Sequence, residues 1–361
     1  MPNQCVDIVV GLQYGSEGKG RLVERIAKNY AIHVRTGAPN AGHKVWTPDR
    51  SQQHAFQTIP CGAMEATTSE LVIGRAAMII ESQLSKEIDW LTEANTPVED
   101  RLWIDHYAMI IEQKHINAEH AKGDKDQDMS DRIGSTREGC GAALSDKVWR
   151  RQDLKFAKDC DWLEPYLIDT EAFLNQAVDD NKPILLEGTQ GMGLSLHHTQ
   201  WWPFCTSRDT NASNWLMEAG LSPRVARNVF GVARTFPIRV GGNSGPTGGK
   251  ELTWKQITKM SGSPESLSEK TTVTKKIRRI FTWSIEDMDK AMAINRPQAI
   301  CLNFVDYIDW ANYSIQEWDA LTIEVQSFIE DIEARYPECV VGWVGTGPFY
   351  DHFIDRGIFN G

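Results

Sequence analysis

The sequence predicts an α/β fold, doubly wound, with a mainly parallel central sheet flanked by helices. Three observations carry this expectation. Short apolar runs of strand length recur at residues 6–10, 31–35, 71–74, 102–105, 184–187, 228–233, 299–304 and 340–344. Amphipathic stretches such as 171–178 and 318–334 lie between several of them, as when helices connect parallel strands. The first run opens directly into a glycine-rich turn and then a helical pattern from Arg21.

That turn reads GLQYGSEGKG at residues 11–20. A strand, a glycine-rich turn and a helix start together present backbone N–H groups to a phosphate. It is not a P-loop, which requires a glycine five places before Gly18 and a Ser or Thr after Lys19, where this chain has Gln13 and Gly20. A second signature, Asn40-Ala-Gly-His43, follows the second run.

Composition narrows the function classes. At 361 residues the chain can bury a large core, as one α/β domain or two smaller ones. A net charge of −11 and a pI near 5.4 argue against a nucleic-acid partner or an anionic membrane surface. Seven cysteines without a CxxC pair make a poor disulfide framework and point to reduced thiols in the cytoplasm. The first residues lack a basic segment followed by an apolar one, and no apolar run reaches membrane-spanning length. Residues 122–131, 241–250 and 261–269 read as loops, rich in charge, glycine, and serine with proline respectively. His197 and His198 are adjacent and point to opposite sides of most backbones, which argues against a paired metal site.

The ordered pair GLQYGSEGKG and NAGH resembles the adenylosuccinate synthetase family, whose members carry a W-G-D-E-G-K-G loop and an N-A-G-H turn at nearly this separation. The resemblance runs from the first loop to the last turn and implies one nucleotide-binding catalytic domain over residues 1–361. Family members phosphorylate the oxygen at C6 of a purine nucleotide with a nucleoside triphosphate, and the aspartate amine then displaces that phosphate. Such chemistry needs a phosphate cradle with Mg²⁺, a donor for developing charge, and a polar cage for two acidic substrates.

By that match, Gly15, Ser16, Glu17, Gly18, Lys19 and Gly20 form the triphosphate loop, with Lys19 as a point charge for the phosphates. Gly42 and Ser16 stand where the family holds Mg²⁺, and His43 matches the histidine that donates to the transferred phosphate. Asn40, Ser135 and Thr136 of Ile133-Gly-Ser-Thr136, and Thr206 of Pro203-Phe-Cys-Thr206, are assigned to the purine monophosphate. Arg150, in Asp146-Lys-Val-Trp-Arg-Arg151, is expected to reach the same phosphate from the neighbouring subunit of a homodimer. Gln190, in Leu186-Glu-Gly-Thr-Gln-Gly191, matches the glutamine that hydrogen-bonds the purine oxygen, completing a catalytic set of Ser16, Lys19, His43 and Gln190. Thr272, Val273, Thr274 and Arg278 resemble the aspartate loop T-V-T-G-R-x-R-R, since arginine forks suit a dicarboxylate. Asn303 and Asp306 resemble the element that reads the donor base, and Gly345, Thr346, Gly347 and Pro348 the family's final turn against it. The glycine loop at 241–250 matches the family's R-V-G-x-G-P through Arg239-Val-Gly-Gly-Asn-Ser-Gly-Pro246.

Three departures matter. Ser16 replaces an aspartate that removes the N1 proton of IMP and touches Mg²⁺, and a serine has no comparable basicity. A small hydroxyl leaves room beside N1, where guanine carries its 2-amino group, and the same substitution resembles the phage branch of the family that acts on dGMP. Phe304 replaces the lysine of the T-K-x-D element, weakening guanine selection in the donor and favouring ATP or dATP. Lys275 and Lys276 replace a glycine and an arginine of the aspartate loop. The resemblance therefore implies a cytoplasmic, Mg²⁺-dependent ligase joining dGMP to L-aspartate with ATP or dATP, in the host cytoplasm if phage-encoded. The alternatives are an ordinary synthetase using IMP, aspartate and GTP, and a catalytically silent purine-nucleotide binder.

Overall fold

The structure, a computed structural model, describes residues 3–47, 49–122, 128–271 and 275–357. Its central sheet contains β1 (Val6–Gly11), β2 (Ile32–Arg35), β3 (Glu70–Ile73), β4 (Leu102–Asp105), β5 (Leu167–Ile168), β6 (Ile184–Glu187), β7 (Ala226–Arg234), β8 (Ala299–Asn303), β9 (Val340–Gly345) and β10 (Phe353–Asp355). The order is β10-β9-β8-β7-β1-β6-β2-β3-β4-β5, and every pairing is parallel except that of β9 with β10. This is the mainly parallel, doubly wound sheet that the sequence predicts.

Strands covered on both faces need apolar side chains on both, so they read as unbroken apolar runs. In β1, Val6, Ile8 and Val10 pack on one face with residues of the helices Thr170–Asp179, Ala212–Glu218, Ile285–Asn295 and Ile323–Arg335. Val9 packs on the other face, with Leu22, Val23 and Ile26 of α1 (Lys19–Ile26) and with the helix Glu81–Glu93.

Shorter elements differ from the sequence reading. The two-residue β5, the antiparallel β10 and the hairpin of His43–Trp46 with Gln53–Phe56 carry too few apolar residues to stand out as runs. Residues 318–334 divide into a single turn, Trp318–Ala320, and the helix Ile323–Arg335, separated by extended Leu321 and Thr322. β8 stops at Asn303 because Phe304 turns left-handed, with φ 67°. The loop 241–250 is irregular, apart from its two ends near short strands, whereas residues 129–131 of the loop expected at 122–131 already belong to the helix Met129–Ile133. All seven cysteines are free, and among the described residues no helix is long and apolar enough to cross a membrane. Because β1, β6, β7, β8 and β9 run the same way, the loops that follow them emerge from one edge, where open parallel sheets bind ligands.

Candidate active site

The turn after β1 is built from left-handed residues: Gly15 at φ 84°, Ser16 at 56° and Gly18 at 96°. Glu17 folds back beneath it, fully buried, accepting the N–H groups of Gly15 at 2.8 Å and Gln13 at 3.2 Å and pairing with Lys19 Nζ at 2.7 Å. Its carboxylate is therefore a brace for the loop and is not turned to the cavity. Ser16 is exposed at the crest. No side chain caps α1, so its first N–H groups stay open to an anion. A Cβ on Gly20 would lie 2.8 Å from the Lys44 carbonyl oxygen and 3.0 Å from His43 Cβ, so this glycine lets α1 seat against the histidine strand.

His43 begins that strand, and its Nδ1 lies 2.5 Å from Glu187 Oε1. Glu187 ends β6, buried, where it also accepts from Arg35 Nη1 at 3.1 Å and from the Cys61 N–H at 2.7 Å. Burial opposes its charge, yet Arg35, His43 and the Cys61 amide together bring its carboxyl down to about 2. Burial, with the Arg35 charge, lowers His43 to about 4, against the pull of Glu187. With Nδ1 committed to Glu187, Nε2 is the nitrogen left for a ligand. His43, Cys61 and Glu187 lie close enough for a metal centre, but Arg35 already neutralises the carboxylate and burial pushes the Cys61 thiol well up, so the trio is read as protein framework. Gln190 sits at φ 59° after β6, and its carbonyl accepts from Lys19 Nζ.

A cavity of about 200 Å³ brings eleven of the expected residues together. Gly15, Ser16 and Lys19 come from the first loop, Asn40, Gly42 and His43 from the NAGH turn, and Ser135 and Thr136 from the turn after Met129–Ile133. Gln190, Thr206 and Arg278 complete the set. Arg150 stands outside, exposed at the end of the helix Cys140–Val148, next to Val148 at 69% and Trp149 at 77% exposure. Thr272, Val273 and Thr274 lie outside the described residues.

The residues expected to read the donor base gather at the ends of β8 and β9. Asp306 is buried, its Oδ1 has no hydrogen-bond partner, and burial raises its carboxyl to about 7. Arg21 ties the final turn to α1 by donating to the carbonyls of Gly347 at 2.5 Å and Phe349 at 2.7 Å. Two expected contacts face inward: Asn303 Nδ2 donates to the Glu17 carbonyl at 2.8 Å, and the buried Thr346 hydroxyl donates to the Ile315 carbonyl at 2.7 Å. Their side chains brace loops.

Sequence reasoning passed over Glu187, Glu269, Glu138 and Tyr14. Glu187 stands inside the quoted LEGTQG element, and a carboxylate ending an apolar strand was the available signal. Glu269 pairs with Arg278 at 3.2 Å. Glu138 lines the cavity between two quoted motifs, with its carboxyl pushed by burial up to about 7. Tyr14 lines it too, its hydroxyl donating to Asp287 at 2.8 Å while Arg239 lies over its ring at 4.3 Å.

A family model described as adenylosuccinate synthetase matches residues 8–159 and 152–313. The adenylosuccinate synthetase of Thermococcus onnurineus is 35% identical over 352 residues, 97% of this chain and 98% of the relative. That of Archaeoglobus fulgidus is 35% identical over 353 residues, 96% of this chain and 97% of the relative. Among solved structures, the cyanophage S-2L succinoaminodeoxyadenylate synthetase bound to dGMP and dATP is similar at a TM-score of 0.79 and 28% identity, covering 98% of this chain and 95% of that one. The fully ligated adenylosuccinate synthetase of Plasmodium falciparum shares the fold at a TM-score of 0.80 and 20% identity, covering 98% and 100%.

Proposed function

The chain belongs to the adenylosuccinate synthetase family, ligases that join a purine nucleotide to aspartate with hydrolysis of a nucleoside triphosphate, and from that premise we propose that this member takes dGMP. The donor is ATP or dATP, and the products are 2-amino-2′-deoxyadenylosuccinate, a nucleoside diphosphate and phosphate. Ser16 carries the proposal: a neutral hydroxyl at the crest of the phosphate loop, on the cavity wall, where the family pattern has a carboxylate. The cyanophage neighbour, bound to dGMP and dATP, supports both substrate assignments.

In this reading Lys19, held by Glu17 and the Gln190 carbonyl, gives its third N–H to the donor phosphates beside the open N-terminus of α1. His43 and Gln190 face the purine oxygen as it takes the phosphoryl group. Glu187 fixes the imidazole by accepting from Nδ1–H, and the charge of the bound phosphates raises the ring's affinity for a second proton at Nε2. Thus the same histidine is neutral in the empty cavity and an acid in the loaded one. Asn40, Ser135, Thr136 and Thr206 bind the monophosphate, with Arg150 supplied by the partner of a homodimer. Arg278, with residues 272–274, takes the aspartate.

Mg²⁺, when bound, would stabilise the charge on the transferring phosphate. Glu17 is spent on Lys19 and loop amides, so the two positions matched to the metal offer it neutral oxygens, the Ser16 hydroxyl and the Gly42 carbonyl. These suit a hard cation bound largely through substrate oxygens.

The test is phosphate release with product mass, supplying Mg²⁺, L-aspartate and ATP with dGMP or IMP in parallel. A succinyl adduct with dGMP alone is expected. An adduct with IMP alone supports the second reading, an ordinary synthetase, which the archaeal relatives favour. Nucleotide binding without turnover of either would indicate a silent binder.

A further inference from the structure

Glu269 and Arg278 lie on two segments paired through their backbones: Arg278 N–H donates to the Glu269 carbonyl at 2.9 Å, and Lys270 bridges antiparallel to Ile277. The Glu269 carboxylate is largely enclosed and accepts from two guanidiniums and a phenol. Arg234 reaches it through Nη2 and, at 3.2 Å, Nη1; Arg278 Nη1 and the Tyr307 hydroxyl each lie at 3.2 Å. Two arginines, Arg234 fully buried and Arg278 partly so, thus share one carboxylate. The cluster keeps a net positive charge that a second, incoming carboxylate would neutralise.

Arg278 is the member that can receive it. It lines the cavity, its one hydrogen bond to Glu269 uses Nη1, and its buried Nε has no partner. A guanidinium held by one nitrogen presents its remaining edge in a fixed orientation, which favours two-point binding of a carboxylate. Arg234 faces the other way. It is fully buried at the end of β7, and its backbone exchanges two 3.0 Å hydrogen bonds with the Gln13 amide of the phosphate loop. Its Nη1 also donates to the Ser16 carbonyl at 3.2 Å, and its guanidinium lies 3.9 Å over the Phe304 ring.

We infer that Glu269 is a positioning residue that presents Arg278 to the amino-acid substrate's carboxylate and, through Arg234, couples that site to the phosphate loop and the donor-base residues. The inference rests on the ligase reading above. Movement of the Ser16 loop on donor binding is transmitted along Arg234 and Glu269 to Arg278, so donor and dicarboxylate each strengthen the other's binding.

Calorimetric titration of L-aspartate into the full chain tests it, with Mg²⁺ and saturating purine monophosphate, with and without a non-hydrolysable ATP analogue. In the unmodified protein the analogue should tighten aspartate binding at least about fivefold, the lower end of ordinary coupling. Glu269→Gln should weaken aspartate binding about tenfold or more and reduce the analogue's effect below about twofold, while monophosphate affinity is retained. If Glu269→Gln does not fold, Glu269→Asp decides: it keeps the charge but is one methylene too short to hold both arginines, and the same losses are expected. Unchanged aspartate affinity in the folded variant, or weakened affinity with the analogue's effect intact, overturns the inference. Failure of the unmodified protein to bind aspartate under any condition overturns the ligase reading itself, and the inference with it.

Discussion

Glu187→Gln is the substitution whose outcome is set most directly by the geometry. The change keeps the shape of a buried side chain and removes the charge on which His43 and Arg35 converge at 2.5 and 3.1 Å. Breaking one side of a buried ion pair costs about 3–5 kcal/mol. Arg35 retains the carbonyls of Ala41 at 2.6 Å, Phe56 at 3.3 Å and Ile59 at 3.5 Å, which places the loss near the lower end, about 3 kcal/mol. That is within the usual 5–15 kcal/mol margin, so the variant should fold with a lower Tm. Catalysis should suffer separately. Without the carboxylate the imidazolium loses its main support, and a fall of about a hundredfold in kcat is expected, about 3 kcal/mol of transition-state stabilisation. The sign of the pH effect follows: Glu187 raises the affinity of His43 for its proton, so its removal moves the alkaline fall of kcat to lower pH. The assay is the pH profile of phosphate release beside a thermal melt of the same preparation. A folded variant with kcat within about threefold of the parent and an unshifted alkaline limb would refute the pairing as a catalytic device.

Ser16→Asp should fold, because aspartate tolerates the left-handed conformation at φ 56°. Its added charge should depress dGMP turnover by roughly 5- to 150-fold, equivalent to 1–3 kcal/mol; a rise with dGMP would sink the account of the pocket. Asp306, raised to about 7 by burial, accepts from the donor base best when ionised, so donor KM should increase as pH falls below about 7. In Asp306→Asn that dependence should vanish, and a persisting one would place the titrating group elsewhere. Arg150→Ala should weaken dGMP binding by about tenfold, and mixing it with inactive His43→Ala should restore turnover, since one site of the mixed dimer has both residues. No restoration under subunit exchange would remove Arg150 from the neighbouring site.

The sheet could be read from the chain because parallel strands buried on both faces must be largely apolar, a requirement written residue by residue in runs such as 184–186 and 299–302. The glycine-rich turn after β1 was legible for a similar reason. Gly15 and Gly18 supply left-handed backbone and Lys19 a charge within one short segment, so the chemistry depends on neighbours in sequence. Tertiary structure decided what each charge does. It turned Glu17 inward as a brace, set Glu187 against Arg35 and His43 from strands and turns far apart in sequence, and joined Arg234, Glu269 and Arg278. Ionic pairing depends on distance and on exclusion of water, and both are fixed only when the sheet brings remote segments to one edge. The sequence by itself therefore determined the scaffold and the kinds of groups at its edge, whereas the fold determined which of those groups hold one another and which remain for a ligand.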